Sequence, residues 1–101
     1  MTLEELFDII ESRAQADPTK SWTAKLLAKG PEKCAEKFGE EAVEAIIEAI
    51  KDDKTKLASE AADVLFHLLV MLKSRDVNLS DVMEELEKRQ GLSGVQEKAS
   101  R

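Results

Sequence analysis

The stretch from Lys54 to Ser74 is apolar nearly all round. Projected at 100° per residue, Leu57, Ala61, Ala62, Val64, Leu65, Phe66, Leu68, Leu69, Val70, Met71 and Leu72 cover almost the whole circumference. Lys56, Glu60, Asp63 and His67 crowd into a strip roughly 60° wide. A helix of this kind must be buried on nearly every side. The chain has 101 residues, one domain at most, and its remaining segments can scarcely cover such a helix. A second copy could. The pattern predicts a helical homodimer with this segment central to a shared core.

No alternating strand pattern of any length appears elsewhere, so the chain reads as all-α with about five helices. The first is expected from about Leu3 to Ala16 with Thr2 as N-cap, broken by Asp17-Pro18-Thr19. A short second helix follows Ser21-Trp22-Thr23 and stops at Gly30. Pro31 suits the first position of a third, running to about Lys51. The fourth is the apolar segment, and Asn78 or Ser80 caps a fifth that reaches about Gln90. Residues 1–90 thus form the folded domain, and the polar tail from Gly91 to Arg101 reads as a frayed terminus.

Charge narrows the partners. A formal net charge of −6 argues against non-specific nucleic-acid binding, which needs a basic surface. The single cysteine, Cys34, rules out an internal disulfide and a four-cysteine zinc site. No apolar run approaches the roughly 18 residues of a membrane span, and the acidic start lacks the basic region of a secretion signal. A cytoplasmic protein with no membrane partner is expected.

The polar strip sets Glu60 and Asp63 beside an apolar core, where carboxylates are costly unless paired, protonated or bound to metal. Three residues apart, they face the same way. The third helix repeats the spacing with Glu41 and Glu44, inside an acidic arc that also holds Glu40 and Glu48. Taken alone, that arc is more often a solvated face; the Glu60/Asp63 pair is harder to dismiss, because it interrupts an apolar run. Two facing helices would direct both pairs at a common point, and four hard oxygen donors suit Mg²⁺ or Mn²⁺ rather than zinc or copper. A di-iron carboxylate bundle needs Glu-x-x-His on two helices. The sole histidine, His67, follows Asp63 by four, and reads as a structural residue with at most a minor role beside the site.

Glu41-x-x-Glu44 followed by Glu60-x-x-Asp63 resembles the metal motif of the all-α, MazG-like nucleoside-triphosphate pyrophosphohydrolases. Ser21 to Pro31, Lys37-Phe38-Gly39-Glu40-Glu41-Ala42-Val43-Glu44, Asp63 to Val70 and the tail Ser93 to Ala99 are similar to the phosphoribosyl-ATP pyrophosphohydrolase family, with Trp22 where that family often has tyrosine. The resemblance implies an intertwined dimer. It also implies Mg²⁺-dependent hydrolysis of phosphoribosyl-ATP to phosphoribosyl-AMP and pyrophosphate, the second step of histidine biosynthesis. The metal ligands would be Glu41, Glu44, Glu60 and Asp63, with Glu40 or Glu41 orienting or deprotonating the attacking water. Five lysines against two glutamates between Lys20 and Phe38 leave a local excess of positive charge. Lys25, Lys29, Lys33 and Lys37, four apart, are candidates for the substrate phosphates or else a solvated lysine face. Two rival functions stay open: a house-cleaning pyrophosphohydrolase of the same superfamily acting on non-canonical nucleotides, and a non-catalytic helical dimer whose acids are only surface.

Overall fold

A computed structural model describes residues 1–90 and Lys98. Five helices follow one another: α1 (Leu3–Arg13), α2 (Trp22–Lys29), α3 (Pro31–Lys51), α4 (Lys54–Ser74) and α5 (Leu79–Arg89). Among the described residues there is no strand, and the fold is all-α. The expectation for the tail, Gly91 to Arg101, falls outside the described residues apart from Lys98.

Local chemistry sets the helix ends. The Thr2 hydroxyl accepts from Glu5 N at 3.1 Å and the Ser21 hydroxyl from Ala24 N at 3.1 Å, each satisfying an otherwise orphaned donor. Gly30, at φ 96°, closes α2 and opens α3 in a conformation that L side chains rarely adopt, and Pro31 takes the first position of α3. Asp52 ends α3 in the left-handed region at φ 59°, which aspartate tolerates better than most side chains. Asp53 then caps α4 by accepting from Lys56 N at 3.0 Å. Two linking residues leave α3 and α4 no geometry but an antiparallel hairpin. Asn78 and Asp81 form a capping box at α5. The first helix stops at Arg13 rather than Ala16. Asp17 Oδ1 accepts from both the backbone N–H and the hydroxyl of Thr19, and this turn draws the chain out of the helix despite the helix-forming Ala-Gln-Ala before it.

The core gathers Phe7 and Ile10 of α1, Leu26 of α2, Cys34 of α3, Leu69 and Val70 of α4, and Leu79 of α5. Cys34 Sγ donates to the Leu26 carbonyl at 3.4 Å, tying α3 to α2. Lys73 of α4 pairs with Glu11 of α1 at 3.7 Å. All of these residues lie at the open end of the α3/α4 hairpin, far from its turn. Within one chain the turn half has no covering layer. Val43, Ile46, Ile47 and Ile50 of α3 are 55%, 57%, 44% and 81% exposed, and Leu65 of α4 is 41% exposed beside exposed Ala61 and Ala62. Within one chain α4 is thus covered at its C-terminal half only, as expected of a chain too small to enclose it. Gly39 has open space where a Cβ would sit, so close packing within the chain does not explain that glycine.

Candidate functional site

One polar seam runs between α3 and α4. It is built from residues 37, 40, 41, 44 and 48 of α3, which share a face by their three- and four-residue spacing, and from 56, 60, 63 and 67 of α4. The antiparallel hairpin fixes which meet. His67 and Asp63 face Lys37, Glu40 and Glu41, while Glu60 faces Glu41 and Glu44. Of the four expected metal ligands, Glu41, Glu60 and Asp63 bring one carboxylate oxygen each within 4.8 Å of one another. The carboxyl of Glu44 lies close enough to those of Glu41 and Glu60 to raise both.

The electrostatics follow. Partial burial, the charge of Glu44 and a hydrogen bond with it, and then the charge of Asp63 raise the Glu41 carboxyl above the usual range; Lys37 opposes them. Burial, Glu44, Asp63 and Glu41 do the same to Glu60. Glu60 Oε2 is sealed from solvent and bonds to nothing described, which is costly for a polar atom. Converging hard donors, mutual repulsion and an orphaned oxygen fit a divalent cation well. Glu40 sits apart from this cluster. Its Oε2 accepts from Lys37 Nζ at 3.0 Å, and that hydrogen bond and charge lower its pKa, keeping it ionised.

The repulsion has a sign that can be measured. Glu41 and Glu60 hold protons more tightly in the folded chain than in the unfolded one. Their contribution to stability is present below the ordinary glutamate range and is lost as pH rises through their raised folded values. Metal-free protein should therefore lose melting temperature as pH climbs from about 4 to 7 by this contribution. Saturating Mg²⁺ should remove the loss at neutral pH. Melts across that range, with chelator and with Mg²⁺, check it; a metal-free curve that rises throughout and ignores Mg²⁺ would contradict the coupling.

The four candidate lysines divide. Lys37 lies in the seam, and Lys33 pairs with Glu36 at 3.4 Å further along α3. Lys25 and Lys29 stand exposed on α2 with no ion pair to a described residue. The kink at Gly30 separates the two sets, so they do not form one continuous row. Two features escaped the sequence reading. Glu48, placed there among solvated acids, keeps only 14% of its side chain exposed and has a sealed, unpartnered Oε2. His67 is 6% exposed and faces Lys37. The four-residue steps from Glu44 to Glu48 and from Asp63 to His67 were the available signal, but they carry weight only once the hairpin register is known.

No helix among the described residues is long and apolar enough to cross a membrane. A family profile described as phosphoribosyl-ATP pyrophosphohydrolase matches residues 3–90. Among curated relatives, a phosphoribosyl-ATP pyrophosphatase of Cereibacter sphaeroides is 70% identical over 99 residues, spanning 98% of this chain and 96% of that protein. Proteins of the same name from Paracoccus denitrificans and Dinoroseobacter shibae are each 71% identical over 99 residues, again 98% of this chain, and 92% and 97% of their own lengths. With a fold, a carboxylate seam and near-complete alignments in agreement, the chain belongs to the phosphoribosyl-ATP pyrophosphohydrolase family.

Proposed function

We propose that the protein hydrolyses phosphoribosyl-ATP to phosphoribosyl-AMP and pyrophosphate, the second step of histidine biosynthesis, and that it does so in the cytoplasm as a Mg²⁺-dependent homodimer, with Mn²⁺ as a workable substitute. Residues 1–90 serve as the catalytic domain. The observation that carries this reading is the meeting of Glu41, Glu60 and Asp63 with Glu44 beside them, around a sealed and unpartnered Glu60 oxygen. These four residues would hold the cation. A divalent cation held there would supply positive charge that offsets the negative charge developing on the phosphates. An acidic protein needs such a centre to accept a polyanion.

The chain's own groups supply the rest. Glu40 is ionised and outside the ligand cluster, so it is free to accept a hydrogen bond from water and orient it towards the α-phosphorus. The water oxygen bonds to that phosphorus, losing its proton to Glu40, as the bridging oxygen departs with pyrophosphate. Lys37 is placed to take a substrate phosphate at the edge of the seam, and Lys25, Lys29 and Lys33 add positive charge along α2 and the start of α3. The exposed apolar face of the hairpin's turn half is the reason for a second copy, since monomers rarely leave so large a patch to water.

Pyrophosphate release from phosphoribosyl-ATP, set beside canonical and non-canonical nucleoside triphosphates, tests the assignment. Preference for a damaged nucleotide would move the protein to the house-cleaning branch. Absence of hydrolysis and of any Mg²⁺ effect on stability would leave a dimerisation module. Within the assay, Lys25→Met and Lys29→Met should each raise KM about 2- to 5-fold, the loss of one exposed phosphate contact, with melting temperature unchanged. Unaltered kinetics in both would make them solvated surface.

A further inference from the structure

Trp22 is the one aromatic side chain that the fold leaves largely to solvent. It is 49% exposed, whereas Phe7 is buried and Phe38 and Phe66 are half-buried. Its exposure is separate from the bare face of the hairpin. That face lies at the turn half of α3 and α4, and Trp22 stands on α2, which packs at the open end. Left in water, the indole forgoes one of the largest apolar burials a side chain offers.

The neighbours of Trp22 indicate what could cover it. Thr23, Ala24 and Leu26 form the buried side of α2. On its exposed side, Lys25 and Lys29 fall within about 60° of Trp22 at 100° per residue. Neither lysine, nor Lys20 just before the helix, has an ion pair to a described residue. No acidic residue stands between Asp17 and Glu32, in a chain that carries 21 of them. Asp17 itself is held by the N–H and hydroxyl of Thr19. An acidic protein thus presents one helical face that is cationic and aromatic.

This face lies within a substrate's length of the seam. Leu26 and Cys34, four residues either side of Gly30, touch through the Cys34 Sγ hydrogen bond to the Leu26 carbonyl at 3.4 Å, so α2 folds back towards α3. Trp22 and Phe38 each stand eight residues from Gly30, about 12 Å along their helices. Two arms that meet at Gly30 and touch at their midpoints end roughly 15 Å apart. Lys37, where the seam begins on α3, adjoins Phe38. Phosphoribosyl-ATP has phosphates at two ends with the purine between: the triphosphate is cut and the phosphoribosyl group is not. Every base has a π-face that stacks on an aromatic ring, and lysine serves a phosphate as a point charge.

We infer that Trp22 is the stacking platform for the purine base of the substrate, and that Lys25 and Lys29 beside it take the phosphate of the phosphoribosyl end. This rests on phosphoribosyl-ATP as the substrate of the carboxylate seam. It gives the protein a means of preferring that nucleotide to ATP, which has no second phosphate end.

Fluorescence tests it directly. Trp22 is the sole tryptophan and the chain has no tyrosine, so the emission reports this position alone. With chelator present to prevent hydrolysis, phosphoribosyl-ATP and AMP should quench the emission saturably, after correction against free tryptophan, and ribose 5-phosphate should not. Lys25→Met and Lys29→Met should each weaken phosphoribosyl-ATP about 2- to 5-fold and leave ATP unchanged; equal weakening of both nucleotides overturns the assignment of the phosphoribosyl end. In the Mg²⁺ assay Trp22→Leu, which keeps apolar bulk without a π-face, should raise KM about tenfold with kcat within about twofold. Trp22→Tyr should stay within about threefold in KM, and both should melt as the parent does. Emission that phosphoribosyl-ATP leaves unquenched, or a normal KM in Trp22→Leu, overturns the inference. Emission that changes with protein concentration and ignores nucleotide overturns it too, and makes Trp22 a contact between copies. Should Trp22→Leu unfold, the titrations of the parent decide. Glu41→Gln separates the failures: if it is inactive while Trp22→Leu is normal, only the stacking role falls, and if it is active the seam is not the active site.

Discussion

Glu41→Gln, Glu44→Gln, Glu60→Gln and Asp63→Asn are expected to abolish most turnover while leaving the metal-free protein as stable as the parent or more so. Each change keeps the shape of the side chain and removes its charge. In the metal-free protein Glu41, Glu44, Glu60 and Asp63 repel one another, so one fewer negative charge relieves the cluster. With Mg²⁺ the order reverses, because the parent gains binding energy that the variants lack. Activity should fall about 100-fold or more, since the remaining carboxylates neither hold the cation as tightly nor balance the phosphate charge. A structural ion-pair network would behave the other way, losing stability with little effect on turnover. Melts of the four variants with and without Mg²⁺, beside their rates of pyrophosphate release, decide the matter. Variants that melt lower yet turn over normally would remove these residues from the active site.

Aspartate at Ile47 or Leu65 should split the proposed dimer, and aspartate at Leu69 should unfold the chain. Ile47 and Leu65 are 44% and 41% exposed in one chain, on the turn half of the hairpin where α1, α2 and α5 give no cover. A charge there is tolerable in a monomer and costly only against a partner's apolar face, where an unpaired buried charge costs about 3–5 kcal/mol. Light scattering should give the parent at least twice 11.2 kDa and move both variants towards that single-chain mass, with helicity retained. Leu69 is 1% exposed in the single-chain core, so charging it strikes the fold itself. A parent that scatters as a monomer at micromolar concentration would remove the dimer and leave the exposed patch without an occupant.

Burial explains why the two kinds of site read so differently. Glu60 and Asp63 stood out because they interrupt an apolar helix, a contrast visible in a list of residues. Glu40, Glu41, Glu44 and Glu48 stood together in an acidic arc, and nothing in their spacing says which of them meets α4. The register of the hairpin sorts them. Glu41 and Glu44 join Glu60 and Asp63, Glu40 turns to Lys37, and Glu48 is left with a sealed oxygen further along the seam. The lysines were legible as a four-residue series, but Gly30 at φ 96° separates Lys25 and Lys29 from Lys33 and Lys37.

By itself the sequence determined what short-range chemistry controls. Hydrophobic period gave five helices. Thr2, Ser21, Gly30-Pro31 and Asn78 marked several of their ends, because caps and turns are satisfied by atoms within four residues. It also determined that two carboxylate pairs lie on two long helices, since a spacing of three fixes a shared face whatever the surroundings. The tertiary structure alone decided how those helices slide past one another, which sets Lys37 opposite His67 and Glu44 beside Glu60. It alone decided that α1, α2 and α5 gather at one end of the hairpin and leave the other bare. Both outcomes depend on contacts between residues far apart in the chain, whose strength comes from the total apolar area that each arrangement buries and from no single stretch of sequence.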